Sequence, residues 1–216
     1  MDKMELLFDE WEKDSFHDFN TFMRDGIIDP NEWEKQKTRV LFLNKEGYTD
    51  GVNKFDLRDE LKDSAPYRNW NRVSNWLFAL REIIKSEKAP NMPDLSWEDG
   101  NKLLRGIAAV NIKKSNGETL SNYTDLEEYL NHDKLRLKEQ IDLIAPDIVI
   151  CGNIFNYYKY LYNGKGFKKL ETKYCFSHGD RLIIDFWHFA NRKDQSEVYD
   201  EFCEVIMGAR NFIELQ

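Results

Sequence analysis

The sequence predicts an α/β fold, specifically a three-layer α/β/α sandwich around a mostly parallel, four-stranded central sheet. Three apolar segments, at 39–43, 106–112 and 146–153, fit strands that are buried on both faces. Segments with apolar residues at helical spacing lie between them, and a hairpin pattern over 173–186 supplies the remaining strand. Strands and helices in this order are typical of a largely parallel sheet that helices cover on both faces.

Local signals place the helices along the chain. Residues 3–24 carry a loose apolar stripe that predicts a first helix, and Asp29-Pro30 precedes a short second one. Pro66 closes a polar loop, and Ser96 is the predicted N-cap of a short helix. The other predicted helices span about 67–87, 123–131, 133–145, 153–162 and 194–208.

Length and composition indicate one globular domain. The chain of 216 residues is long enough for one well-buried core, so residues 1–216 are predicted to form a single domain with a helical extension at about 1–36. No apolar run approaches the roughly 18 residues that span a bilayer. The acidic N-terminus lacks the basic region of a signal peptide. We therefore expect a cytoplasmic protein without a membrane partner.

The charge of the chain is unevenly distributed. The net charge of −8 argues against non-specific coating of nucleic acid. Between Tyr158 and Lys193, however, the sequence contains eight cationic residues and only three acidic ones. This tract is either a solvated lysine-rich surface or one basic face on an acidic protein.

The sequence does not support several common kinds of site. Cys151, Cys175 and Cys203 are far apart, which predicts reduced and mostly buried thiols rather than disulfides or a zinc site. The four histidines are scattered without metal-ligand spacing. The motifs of P-loop nucleotide hydrolases, Rossmann redox enzymes and serine hydrolases are missing. We therefore expect no metal and no cofactor.

Polar residues follow the predicted strands at the edge where parallel strands end. The first strand runs into NKEGY (44–48), the second into NIKKSNG (111–117), the third into CGN (151–153) and the last into WHFANR (187–192). Ligands of parallel α/β sheets bind beyond the carboxyl ends of the strands. The sequence therefore predicts a functional site at this edge.

Each of these residues has a chemical and a structural interpretation. Glu46 can orient or deprotonate a water molecule, or it is a loop acid paired with Lys45 or with a helix N-terminus. Asn111 can bind the edge of a nucleobase, or it satisfies the backbone of a turn. His188 can donate a hydrogen bond to an oxygen that gains negative charge, or it is a half-buried histidine with a structural partner. Tyr48 can stack on a planar ring, or it belongs to the core.

These strand ends, in this order, resemble those of the uracil-DNA glycosylase superfamily, whose compact α/β/α fold contains a four-stranded parallel sheet. NKEGY (44–48) aligns without gaps with the Gly-Gln-Asp-Pro-Tyr motif of the best-known branch. AVNIKK (109–114) is similar to the middle strand of the family, and APDIVICG (145–152) to the strand before its following helix. HFA (188–190) falls at the His-Pro-Ser motif. The resemblance covers roughly residues 38–205.

The resemblance implies a DNA glycosylase, an enzyme that hydrolyses the N-glycosidic bond of a base flipped out of DNA. It implies water activation by Glu46 and stabilisation of the departing base by His188. The base-binding residues are then Asn44, Tyr48, Asn111 and Phe189. On position alone, phosphate contacts are expected at Lys113, Lys114, Arg192 and Lys193. Three scattered cysteines cannot supply the iron–sulfur cluster that some branches carry.

Several positions depart from the motifs of the family. Asn44 and Gly47 replace a glycine and a proline, and Phe189 and Ala190 replace a proline and a serine. The departures predict a reshaped pocket and a modified base rather than uracil. The superfamily includes bacterial antiphage enzymes that excise glycosylated cytosines from phage DNA, so glycosylated hydroxymethylcytosine is one expected substrate. The alternatives are a non-catalytic module that binds a nucleotide or modified base, and a protein-interaction domain with an acidic surface.

Overall fold

A seven-stranded mixed sheet lies at the centre of the computed structural model, which describes residues 3–47, 55–63, 68–117 and 121–214. The strands in chain order are β1 (Met23–Arg24), β2 (Gly26–Ile27), β3 (Val40–Asn44), β4 (Phe55–Asp56), β5 (Ala108–Asn111), β6 (Ile148–Gly152), β7 (Phe167–Lys169), β8 (Cys175–His178) and β9 (Arg181–Phe186). The helices are α1 (Lys3–Trp11), α2 (Pro30–Trp33), α3 (Leu57–Asp63), α4 (Arg68–Ser86), α5 (Trp97–Arg105), α6 (Tyr123–Ile144), α7 (Phe155–Leu161) and α8 (Gln195–Glu214).

The strand order of the sheet is β2-β5-β3-β6-β9-β8-β7. The four central strands, β5, β3, β6 and β9, are parallel, whereas β2, β8 and β7 add to the two edges in antiparallel pairs. The α/β class is therefore confirmed, but the prediction of a four-stranded sheet is wrong. The additional edge strands β2 and β7 are only two and three residues long, so they carry no apolar run for a sequence pattern to detect.

Helices cover both faces of the sheet because its central strands are apolar on both sides. Val40 and Phe42 of β3 pack in one core with α4 and α8, and we call this side the α4 face. Leu41 and Leu43 pack in a second core with α1, α6 and α7, and we call this side the α6 face. The period-2 alternation of a strand thus divides one apolar run between two cores.

The first predicted helix is much shorter than expected. It was predicted over 3–24, but α1 ends at Trp11. Asp14 accepts a hydrogen bond from the backbone N–H of Phe16 at 3.1 Å, and Asp18 accepts one from that of Asn20 at 2.9 Å. Such local side-chain bonds compete with helical backbone bonds, which explains why the chain turns here and continues into β1 and β2.

The two helices predicted over 123–131 and 133–145 are one continuous helix, α6. No glycine or proline interrupts residues 123–144. Asp133 is buried, and its carboxylate accepts a hydrogen bond from the Trp11 side chain at 2.8 Å. Because that carboxylate is engaged by a distant residue, it does not compete with the backbone of its own helix.

The polar loop predicted over 52–66 is wrong in part, because β4 and α3 form within it. Other elements agree with the sequence. The predicted helices at about 67–87, 153–162 and 194–208 correspond to α4, α7 and α8. Ser96 caps α5 by accepting a hydrogen bond from the backbone N–H of Asp99 at 3.1 Å. The hairpin is formed by β8 and β9, and the three cysteines are buried and unpaired.

Among the described residues, no helix combines the length and the apolar character that crossing a bilayer requires.

The cations of the basic tract at 158–193 have different surroundings. Lys168 and Lys169 lie exposed on β7, the edge strand of the sheet, where lysines oppose pairing with another chain. Arg181 binds Asp142 at 3.0 Å. The excess of positive charge in the sequence is therefore distributed among several structural roles.

Lys114 is a buried structural residue and not a phosphate contact. Its ammonium group lies 2.6 Å from Asp25, and both side chains are 0% exposed. Gln140 also donates to the same carboxylate, at 2.8 Å. Burial lowers the pKa of Lys114, while the carboxylate of Asp25 opposes that shift. The prediction that Lys114 contacts DNA is therefore wrong, because its side chain does not reach the surface.

Replacing Lys114 by methionine is expected to lower the free energy of unfolding by about 3–5 kcal/mol, because Asp25 is left as an uncompensated buried charge. Urea denaturation of the two proteins measures the difference. Lys35→Met is the control, since Lys35 forms an exposed ion pair with Glu32 at 2.6 Å and should matter little. Equal losses in the two variants would contradict a structural role for Lys114.

Candidate active site

Two of the parallel strands end in a polar side chain on the α4 face, and a third ends in a glycine, which leaves space there. Asn44 ends β3 and Asn111 ends β5, and the two residues are direct neighbours in the sheet. By strand alternation both side chains lie on the α4 face, as does Gly152 at the end of β6. His188 lies over Gly152, because a Cβ atom at that position would come within 3.0 Å of the imidazole. The fold thus brings together strand ends that are far apart in the sequence.

The loops after β3 and β5 remain paired beyond the strands. Ile112 donates its backbone N–H to Asn44 O at 2.9 Å, and Lys113 donates to Lys45 O at 2.9 Å. Further along, the N–H of Gly117 donates to Gly47 O at 2.8 Å. The loop that carries Glu46 is therefore held by main-chain hydrogen bonds in a defined register, as an extension of the parallel ladder.

Glu46 is a nearly buried carboxylate in this paired loop. Its side chain is 7% exposed, and Oε2 lies 3.9 Å from the ammonium group of Lys113. Within the described part of the chain, its Oε1 atom is buried and has no hydrogen-bond partner. A side chain at Gly117 would overlap the carboxyl group, so the glycine provides the space that Glu46 occupies. An unpaired buried acceptor is costly unless a ligand or water binds it.

The two strand-end amides are both buried. Asn44 is 2% exposed, and its Oδ1 atom finds no hydrogen-bond partner among the described residues. Asn111 donates its backbone N–H to Asp25 at 2.8 Å, and its side-chain amide donates to the sulfur of Met23 at 3.1 Å. Sulfur is a weak acceptor, so a better acceptor on a ligand can replace it.

The loop after β9 is held by an arginine from α4. Arg72 donates to three backbone carbonyls, those of Phe189 at 3.3 Å, Asn191 at 2.6 Å and Lys193 at 3.0 Å. Asn191 closes the turn by donating its side-chain amide to His188 O at 2.8 Å. Arginine suits this task because its planar group carries five donors in a fixed arrangement.

The same loop sets the protonation of His188. The backbone N–H of Ala190 donates to His188 Nδ1 at 3.2 Å, so the neutral imidazole carries its hydrogen on Nε2. Burial, together with the charge of Lys45, lowers the pKa of His188 from 6.5 to about 4. At neutral pH the side chain is therefore an uncharged donor through Nε2.

Phe189 lies next to His188 and adds an aromatic ring to the site. Its ring stacks on His188 with centroids 4.6 Å apart and contacts Trp70 of α4 at 4.9 Å. Trp70 is buried, so its contact fixes the position of the Phe189 ring. Tyr48, the other predicted aromatic of the pocket, lies outside the described residues.

The predicted phosphate contacts differ in their surroundings. Lys113 is buried and binds Asp125, so it belongs to the site around Glu46 rather than to an exposed surface. Arg192 and Lys193 are exposed beside a cavity of about 620 Å³, which is lined by Asn69 and Arg72 of α4 and by residues 191–195. These two cations are therefore in a position to meet an anionic ligand.

No protein-family model matches this chain, and no curated protein matches it either. Its function must therefore be argued from the site itself. Sequence reasoning missed Arg72, Trp70 and Met23, which reach the site from α4 and β1. The motif signals stop at the strand ends, and nothing in the local sequence of α4 or β1 marks these residues.

Arg72→Ala is expected to loosen the loop that carries His188. Backbone amide exchange at Ala190, Asn191 and Lys193 should rise by at least about 10-fold, since the carbonyls lose a charged donor. Arg105→Ala is the matched control, because Arg105 also donates to a carbonyl, that of Lys62 at 3.0 Å, but on α3. Unchanged exchange in the loop of the Arg72 variant would show that another contact holds it.

The imidazole of His188 is expected to titrate with a pKa of about 4, which NMR can follow through its ring protons. Below pH 6.5 the unfolded chain binds a proton that the folded protein does not. His188 therefore costs stability as the pH falls from about 6.5 towards 4, and has no effect above that window. Lys45→Met should raise the pKa of His188. A pKa near 6.5 in the unmodified protein would contradict the buried, neutral state.

Proposed function

We propose that this protein is a DNA glycosylase that hydrolyses the N-glycosidic bond of a flipped-out, modified base. The observation that carries the proposal is the presence of two chemical groups at the same edge of the sheet, after the carboxyl ends of β3 and β9. Glu46 is a buried carboxylate with an unpartnered oxygen in the described chain, and His188 is a neutral donor. Glycoside cleavage needs these two functions, because water must be activated and the leaving group stabilised.

Glu46 is the group that holds or activates water. Its Oε1 atom, which has no partner among the described residues, can accept a hydrogen bond from a water molecule, and the ammonium group of Lys113 lies 3.9 Å from Oε2. The activated water attacks the anomeric carbon of the sugar and gives a proton to the carboxylate of Glu46. The bond from that carbon to the base nitrogen breaks, and its electron pair leaves with the base.

His188 stabilises the base as it departs with negative charge. A neutral imidazole that donates through Nε2 can bind a developing oxyanion without first gaining a proton. The hydrogen bond from Ala190 to Nδ1 selects this tautomer. Because the pKa of His188 is about 4, the group keeps this role well below neutral pH.

The base-binding role belongs to Asn44, Tyr48, Asn111 and Phe189. Buried amides at the ends of neighbouring strands can bind the edge of a base, and Phe189 can pack against its ring. The departures from the family motifs support a modified base, with glycosylated hydroxymethylcytosine in phage DNA as one candidate. An antiphage role in the cytoplasm accords with three unpaired, buried cysteines.

Binding to DNA is the role of the exposed cations beside the site. Arg192 and Lys193 border the cavity next to the His188 loop and can neutralise phosphates there. Flipping a base costs roughly a few kcal/mol in lost stacking and pairing, and contacts to the flipped base must offset this cost. The four parallel central strands support the resemblance to the uracil-DNA glycosylase superfamily, whose fold contains such a sheet.

A non-catalytic module that binds a nucleotide or modified base is the second candidate. The proximity of Lys113 to Glu46 favours it, because the ammonium group 3.9 Å from Oε2 gives this carboxylate an ion-pair partner and hence a structural role. Such a module would use the same pocket and would bind without cleavage. The two functions therefore differ in turnover rather than in the residues that bind the base.

The decisive experiment offers the protein DNA that carries uracil, hypoxanthine or glucosylated hydroxymethylcytosine, with unmodified DNA as the reference, and measures abasic sites. We expect abasic product from the modified cytosine. Glu46→Gln should lower the single-turnover rate by at least about 100-fold and leave DNA affinity nearly unchanged. Glu128→Gln, at an exposed position of α6, is the matched control and should be fully active.

The outcomes separate the candidates. Binding of modified DNA without abasic product from any substrate would contradict the proposal of a glycosylase that acts on these bases. It would support the binding module. Little or no DNA binding at any salt concentration would support a protein-interaction domain instead. Tight binding that falls steeply with salt would count against that last interpretation.

A further inference from the structure

We propose that His17, His132 and Asp133 form a binding site for a divalent transition metal of the zinc class. The sequence separates His17 from Asp133 by 116 positions, but the fold brings them together. One ligand atom from each of the three residues lies within 4.8 Å of the others. Two imidazoles and one carboxylate are a ligand set that suits zinc and its neighbours in the first transition series.

The distances within the cluster fit a shared metal ion. Asp133 Oδ1 lies 3.0 Å from His17 Nε2 and 3.0 Å from His132 Nδ1. Ligand atoms at about 2.0–2.2 Å from one zinc ion are separated by little more than 3 Å in a tetrahedral arrangement. Modest side-chain rotations are therefore sufficient to admit the ion.

The carboxylate of the cluster is buried and incompletely partnered. The side chains of His17 and Asp133 are both 0% exposed. The nearest described guanidinium, that of Arg136, is 3.8 Å from Asp133 and instead binds Asp14 at 2.7 Å. Asp133 Oδ2 and His17 Nδ1 have no hydrogen-bond partner in the described chain. A buried carboxylate is stable when it is paired or coordinates a metal, so a bound metal ion would add a partner to this one.

Neighbouring side chains hold the three ligand residues in place, and the cluster is open to solvent at His132. The Trp11 side chain donates to Asp133 Oδ1 at 2.8 Å, and the ring of Phe16 stacks on His132 at 4.0 Å. Asp14 lies 3.7 Å from the second ring nitrogen of His132, on the side where carboxylates commonly orient metal-bound histidines. The His132 side chain is 32% exposed, so water can complete the coordination.

The site would fasten the turn after α1 to α6. His17 lies in that turn, whereas His132 and Asp133 belong to α6. This cluster is on the α6 face of the sheet, opposite the α4 face that carries Asn44 and Asn111. The inference therefore does not depend on the proposed glycosylase activity.

The test titrates the full-length, chelator-treated protein with Zn²⁺ and follows heat release and thermal unfolding. We expect one ion per chain, a dissociation constant of about 1 µM or tighter, and a Tm higher by about 5–10 °C at 100-fold excess over Kd. Co²⁺ should give visible absorption bands of a four- or five-coordinate site.

His132→Gln is the main variant, because this partly exposed side chain can be replaced without leaving a core cavity. It should weaken Zn²⁺ binding at least about 100-fold. His178→Gln is the matched control, since His178 lies on β8 away from the cluster. No stoichiometric binding, or binding that survives His132→Gln, would show that the three residues form only a hydrogen-bonded cluster.

Discussion

The parallel pairing of β3 with β5 is the constraint on which the candidate site depends. Its backbone hydrogen bonds continue past Asn44 and Asn111 and hold the loop of Glu46 against residues 112–117. A one-residue slip in this register would turn every side chain of one strand to the opposite face. Both strands are buried on both sides, so such a slip is strongly disfavoured, and the position of Glu46 follows from the core.

Asp25 reinforces this pairing from the N-terminal segment. Its carboxylate accepts hydrogen bonds from the backbone of Asn111 at 2.8 Å and from Lys114 at 2.6 Å. One buried acid thus ties the end of β5 to the loop that follows it. The network is fully buried, where breaking one partner is more costly than the pair is favourable. Lys114 is consequently a determinant of the geometry of the site, although it cannot meet a phosphate.

The strands that carry the site were predictable from the sequence because their signals are local. An apolar run followed by Glu46 or His188 is visible within a few residues. The burial of Lys114, the three carbonyls bound by Arg72 and the contact of Met23 with Asn111 depend on residues far away in the chain. The same holds for α1, which was predicted too long because Asp14 and Asp18 form turns that helical periodicity does not reveal. Periodicity describes which face of an element is buried, not which distant group meets it.

The position of Gly47 connects the N-terminal segment with the chemistry of the pocket. A Cβ atom at Gly47 would collide with the end of the Met23 side chain, which is buried and contacts the amide of Asn111. A proline, as in the resembled motif, would require Met23 to move. Glycine at 47 and methionine at 23 are therefore complementary, and the segment before β3 contacts the strand-end amide of Asn111. In the proposed glycosylase, a flipped base would have to fit against Met23 as well as the strand-end amides, which is a physical reason to expect a substrate other than uracil.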